Sequence, residues 1–128
     1  MTFPSPSAWL RHRGPALVID TIDAWDGTWV ECGARDAAWA WPRLLEGAAQ
    51  AAGIACALAD ERWRSGAVVA EFRDVEIRGE RHRGPVRFRA RSERVVLAYR
   101  RCRAVAATPA GTTLISAHVT LLPDRSPA

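Results

Sequence analysis

Glu46 is a lone carboxylate inside a run of small and aliphatic residues, Leu44-Leu45-Glu46-Gly47-Ala48-Ala49-Gln50-Ala51-Ala52-Gly53. Burying a charge that has no use costs several kcal/mol. A lone acid in such a run is therefore the first residue to which proton transfer is assigned. Gln50 follows at i+4, which on a helix places its amide one turn away on the same face, able to orient the carboxylate or a substrate. Gly47 and Gly53 would let another backbone or a thin chain come close. Of the three histidines, His82 falls in a turn-like stretch and His118 in a strand-like one, and a structural or solvated role suits both. Cys32, Cys56 and Cys102 are odd in number and widely spaced, so they read as buried free thiols and not as a metal site.

The element that must carry Glu46 is a helix from Pro42 to Ala59. Pro42 suits a first helical position, and alanine, leucine, glutamate and glutamine dominate the residues after it. Nearly every side chain in it is small or apolar, so it is buried around most of its circumference. The remaining chain reads as strands. Asp26-Gly27 sits between the alternating stretches Thr21–Trp25 and Thr28–Cys32, a hairpin signal. Before it, Ala16 to Ile22 is a β-branched apolar run. Gly33 to Trp41 shows no period and reads as a connector. After the helix come Ala67 to Ile77, a turn around Gly79 to Pro85, and Val86 to Val95, in which Val86, Phe88 and Ala90 alternate with Arg87, Arg89 and Arg91. Val96 to Ala107 and Thr112 to Leu122 come next, separated by Pro109-Ala110-Gly111. A single apolar helix among strands requires a sheet that wraps it. The fold class is α+β, one long central helix held in a curved antiparallel sheet of about five or six strands.

With 128 residues the chain forms one domain over 1–128, with 1–9 and 123–128 as flexible tails. No apolar run approaches the ~20 residues of a membrane helix. The opening Met1 to Ser7 lacks the basic-then-apolar pattern of a secretion signal, so a cytoplasmic protein is expected. The net charge is +4, and all 18 basic residues are arginine. Together with the many alanines this reflects a GC-rich codon bias, which weakens any claim that guanidinium chemistry was selected. A basic surface still draws anionic partners. No zinc-finger spacing, aromatic-basic RNA signature or glycine-rich phosphate loop accompanies it, so nucleic acid is not the expected one.

Two segments carry a family likeness. Leu10-Arg11-His12-Arg13-Gly14-Pro15-Ala16-Leu17-Val18-Ile19-Asp20 is similar to a Leu-Pro-His-Arg-x-Pro, aliphatics, Asp pattern. Leu44 to Gly53 is similar to a central-helix pattern of aliphatics, Glu, Ala-x-Ala-Gln-Ala-Ala-Gly. In this order and spacing they resemble the hot-dog-fold 3-hydroxyacyl-carrier-protein dehydratases of fatty-acid synthesis. The resemblance is closer to a divergent branch found in aryl-polyene pigment clusters. The motifs cover about a fifth of the chain. Two features of the family are missing. The loop before the helix, Cys32-Gly33-Ala34-Arg35-Asp36-Ala37-Ala38-Trp39-Ala40-Trp41-Pro42, has no histidine, and Arg81-His82-Arg83-Gly84-Pro85 replaces a Pro-Gly-Asp turn.

The resemblance implies a dehydratase-like enzyme acting on 3-hydroxyacyl thioesters held by acyl carrier protein. Glu46 is its acid/base residue. His12, the one histidine within a matched motif, is a second catalytic candidate that would enter a partner chain's pocket or brace its own turn. Gln50 and Gly53 would touch substrate, and Trp39 and Trp41, flanking the helix with Trp63, would line an acyl or aryl pocket. Arg87 and Arg89 would dock the acidic carrier and its phosphopantetheine arm. No cofactor, metal, nucleic acid or membrane is implied. The assembly implied is a homodimer or larger, or a hetero-oligomer with a catalytic partner. Two other functions fit the same pattern: a hot-dog acyl thioesterase, and a non-catalytic hot-dog subunit that binds acyl carrier protein.

Overall fold

The computed structural model describes residues 2–10 and 16–124. Its strands are β1 (Thr21–Trp25), β2 (Trp29–Ala40), β3 (Ala67–Ile77), β4 (Arg81–Val96), β5 (Tyr99–Ala107) and β6 (Thr113–Pro123). One long helix, α1 (Trp41–Ala59), separates β2 from β3. The strands form a six-stranded sheet in the order β1-β2-β4-β5-β6-β3. Every pairing is antiparallel. Register shifts interrupt each of these ladders, and such bulges bend the strands. The sheet curves around α1, which touches β2, β4, β5 and β6. This is the hot-dog arrangement that the two motifs imply.

The helix begins one residue earlier than its proline suggests. Trp41 N donates to Glu80 O, and Pro42 occupies the first turn. All residues from Gly47 to Ala57 are buried, so the helix has almost no solvent face. Phe88, Val86 and Ala90 of β4, Cys102, Ala104 and Ala106 of β5, and Ile115, Val119 and Leu121 of β6 complete the core. At Gly47 the fit is tight. A Cβ there would run into the Phe88 ring and lie 2.9 Å from Val18 Cγ1. The Asp26-Gly27 turn forms as its sequence predicts: Gly27 takes φ +92°, and Asp26 Oδ1 accepts from Thr28 N and Trp29 N at 2.8 and 2.7 Å.

Four boundaries differ from the sequence expectation. Gly33–Trp41 is not a connector: β2 runs on to Ala40, and Ala37–Ala40 pair with Arg81–Gly84. Arg81–Pro85 is accordingly strand, with the preceding turn confined to residues 78–80. Pro85 lies at the register shift of β2 against β4, where no ladder N–H is demanded of it. The apolar stretch at 17–20 is irregular, and β1 starts only at Thr21. The first residues are also not a free tail. Pro6–Ala8 forms a 3-10 turn, Phe3 and Trp9 pack on the core, and Leu10 is part of it.

Candidate functional site

Glu46, half-buried on α1, borders a groove of about 350 Å³. Along the helix the groove is lined by Glu46, Ala49, Gln50 and Gly53. Leu10 covers it from the N-terminal segment, and Ala67, Val68 and Val69 of β3 with Leu121 and Asp124 form the other wall. Apart from its two carboxylates and one amide, the lining is apolar.

Gln50 is 2% exposed, and its amide is largely committed to the protein itself. Its Oε1 accepts from Val18 N at 2.9 Å and from Ile19 N at 3.4 Å. Its Nε2 donates to Ala16 O at 2.7 Å and to Glu46 Oε1 at 3.2 Å. The side chain thus ties the segment before β1 to the helix and turns an N–H toward Glu46. A donor aimed at a carboxylate fixes its orientation. Glu46 is therefore held by Gln50 at the edge of an apolar groove.

Of the sequence-derived candidates, the structure brings Glu46, Gln50 and Gly53 together. His12 lies outside the described residues. Trp39 and Trp41 do not border the groove. Trp39 is 4% exposed, meets Phe88 edge-on with ring centroids 5.9 Å apart, and donates Nε1–H to Gly84 O at 2.9 Å. Trp41 is exposed at the start of the helix. At the helix start Trp41 N is already bonded and Pro42 has no N–H, so neither of these two positions offers an amide to a ligand. Arg87 and Arg89 both point away from the core on β4, but they are not equivalent. Arg89 pairs with Glu31 at 3.3 Å and lies over the Trp29 ring at 4.7 Å. Arg87 is exposed and makes no ion pair among the described residues.

Sequence reasoning missed Leu10 and the start of β3 as groove walls. Only the folded chain shows that they meet the helix face carrying Glu46. At the other end of the helix a second cluster closes the structure. Asp60 caps the 3-10 turn after α1, accepting from Arg62 N, and also meets Arg100, which lies over the Trp63 ring. The three thiols are buried, with Cys56 and Cys102 sulfurs 3.5 Å apart. Burial pushes Cys32 well above the usual thiol range, and the contact with Cys56 followed by burial does the same for Cys102. Thiolate chemistry is correspondingly disfavoured at both.

No family model and no curated protein sequence matches the chain. Solved structures do. One chain of the dehydratase heterocomplex ApeI:P from Xenorhabdus doucetiae superposes with a TM-score of 0.83 at 11% identity, over 98% of this chain and 94% of that one. The thioesterase HI1161 from Haemophilus influenzae gives 0.68 at 16% identity, over 81% and 76% of the two chains. The E. coli PaaI protein of the phenylacetic acid degradation operon gives 0.66 at 11%, over 79% and 80%. The protein has the hot-dog fold, shared here with a chain of a dehydratase complex and with a thioesterase. Among the described residues no helix is long and apolar enough to cross a membrane.

Proposed function

We propose that the protein is a dehydratase-like enzyme acting on 3-hydroxyacyl thioesters carried by acyl carrier protein. The observation that carries this is the Glu46 carboxylate, oriented by Gln50 at the margin of an apolar groove. Elimination needs a base for the α-proton and an acid for the departing hydroxyl. Glu46 can serve as both in turn. It takes the proton from the α-carbon, and the carbon–carbon double bond forms as the carbon–oxygen bond breaks. The same proton then leaves with the hydroxyl as water. His12 is retained as the second catalytic candidate.

The groove is open along β3, an edge strand whose Val68, Val69, Val75 and Ile77 are exposed. A second hot-dog chain, identical or not, completes the wall there, and the likeness to a dehydratase heterocomplex supports either form of assembly. Arg87 and Arg89 on the outer sheet face meet the acidic carrier, Arg87 more directly because Arg89 is already engaged. The compartment is the cytoplasm.

The likeness to thioesterases favours one other reaction, in which Glu46 activates water against the thioester carbonyl. Incubating the purified protein with a 3-hydroxyacyl carrier protein and following the mass separates the two. Loss of water is the expected result. Loss of the acyl group would establish the thioesterase, and an unchanged mass would leave a non-catalytic subunit.

A further inference from the structure

We propose that Leu10 and Gly53 form a stop at the inner end of the Glu46 groove, so that the site takes thioesters with short, unbranched acyl tails. This rests on Glu46 marking the reacting end. The helix positions lining the groove stop at Gly53. The next residues on that stripe, Cys56 and Ala57, are 0% exposed and sealed in the core. In the opposite direction the next residues on that stripe, Pro42 and Arg43, are exposed, so the helix face is accessible to solvent on the Glu46 side. Gly53 lies seven residue steps along the helix from Glu46, about 10 Å along the axis. That distance, roughly two turns, is the room available to the tail.

Gly53 and Leu10 define the closed end by what each contributes. A Cβ built on Gly53 meets only Leu10 Cδ2, at 3.5 Å, an ordinary contact. The missing side chain at Gly53 is therefore not a demand of the fold. Gly47, six residues earlier, is the opposite case, because a Cβ there would collide with Phe88. The space over Gly53 is held open on a face where an alanine would fit, and glycine inside a helix costs up to about 1 kcal/mol relative to alanine. Leu10, 6% exposed, caps that space. A straight tail can run over Ala49 and end against Leu10. A longer or branched one must displace it.

The test uses 3-hydroxyacyl thioesters of increasing tail length with the full chain, and stable amide analogues of the same series for binding by calorimetry. The wild-type protein should lose kcat/KM once the tail exceeds about 10 Å. Leu10→Ala, or the milder Leu10→Val, should move the optimum to longer tails. Gly53→Leu should cut turnover of the longest accepted substrate about ten-fold or more, the scale set by one methylene too many, while sparing the shortest. Gly53→Ala should do the same more weakly and must fold, since its Cβ has room. Amide binding should follow the same ranking, which separates this stop from the catalytic assignment. If the length ranking is unchanged in folded Leu10 and Gly53 variants, the stop is wrong, even where Glu46→Gln abolishes turnover. If the ranking shifts in binding while Glu46→Gln retains turnover, the stop stands and the acid/base role falls.

Discussion

Gln50 shows how much of a site can be read from residue types. Its spacing from Glu46 places the two on one helix face, and the 3.2 Å contact between them follows from that spacing. Its bonds to Ala16, Val18 and Ile19 do not, because they join residues more than thirty positions apart. A side chain that lines the groove is at the same time a strut. The two glycines of the motif divide in the same way. Identical in sequence logic, they differ in what stands opposite: an aromatic ring at Gly47, a leucine methyl at Gly53. Gly47→Ala should destabilise the protein by about 1–3 kcal/mol, the usual cost of overfilling a packed core. Denaturant unfolding measures this, and a neutral result would mean that Phe88 can move aside. Gly53→Ala in the same measurement should be neutral or stabilising.

At the scale of elements, the helix and the Asp26-Gly27 hairpin were legible because propensity, pattern and turn chemistry agree there. The second half of β2 was not. Gly33-Ala34-Arg35-Asp36-Ala37-Ala38 has neither β-branched residues nor alternation, and a register shift between Ala34 and Ala37 breaks the period. It is a strand because β4 pairs with it, and β4 in turn holds Arg81–Pro85, whose glycine and proline read as a turn. The end of α1 carries a pH-dependent contribution. The Arg62 side chain, then the Arg62 backbone N–H, hold Asp60 well below the usual carboxylate range. A depressed folded-state pKa stabilises the fold above the unfolded value of about 4, and that stability is lost as the pH falls through the folded one. Asp60→Asn should therefore lower stability at neutral pH and flatten its acid limb, as read from unfolding midpoints between neutral and strongly acidic pH. An unaltered acid limb would show that Asp60 contributes nothing through its charge.

For the whole molecule, the hairpin–helix–strands order was enough to specify the fold, whereas the arrangement of the groove depended on which edge the curved sheet leaves open. Of the two edges, β1 and β3, it is β3 that borders the groove, with apolar residues exposed along it. The β4–β5 hairpin adds Val95, Val96, Leu97 and Tyr99, with Leu97 at φ +55° and 91% exposed. Apolar surface of this extent points to association. Light scattering at micromolar concentration should give at least two chains per particle. A monomer with full activity would contradict an edge-completed groove.

The central claim is that Glu46 moves the proton in a reaction of a carrier-bound acyl thioester. Its most direct test is the turnover of Glu46→Gln, with the fold verified alongside. The amide keeps the shape and the contact with Gln50 but cannot take a proton. Turnover should fall about a hundred-fold or more, the scale of losing a general acid or base, with stability unchanged or slightly raised. Full turnover by a well-folded Glu46→Gln protein would contradict the account and leave Glu46 a structural residue.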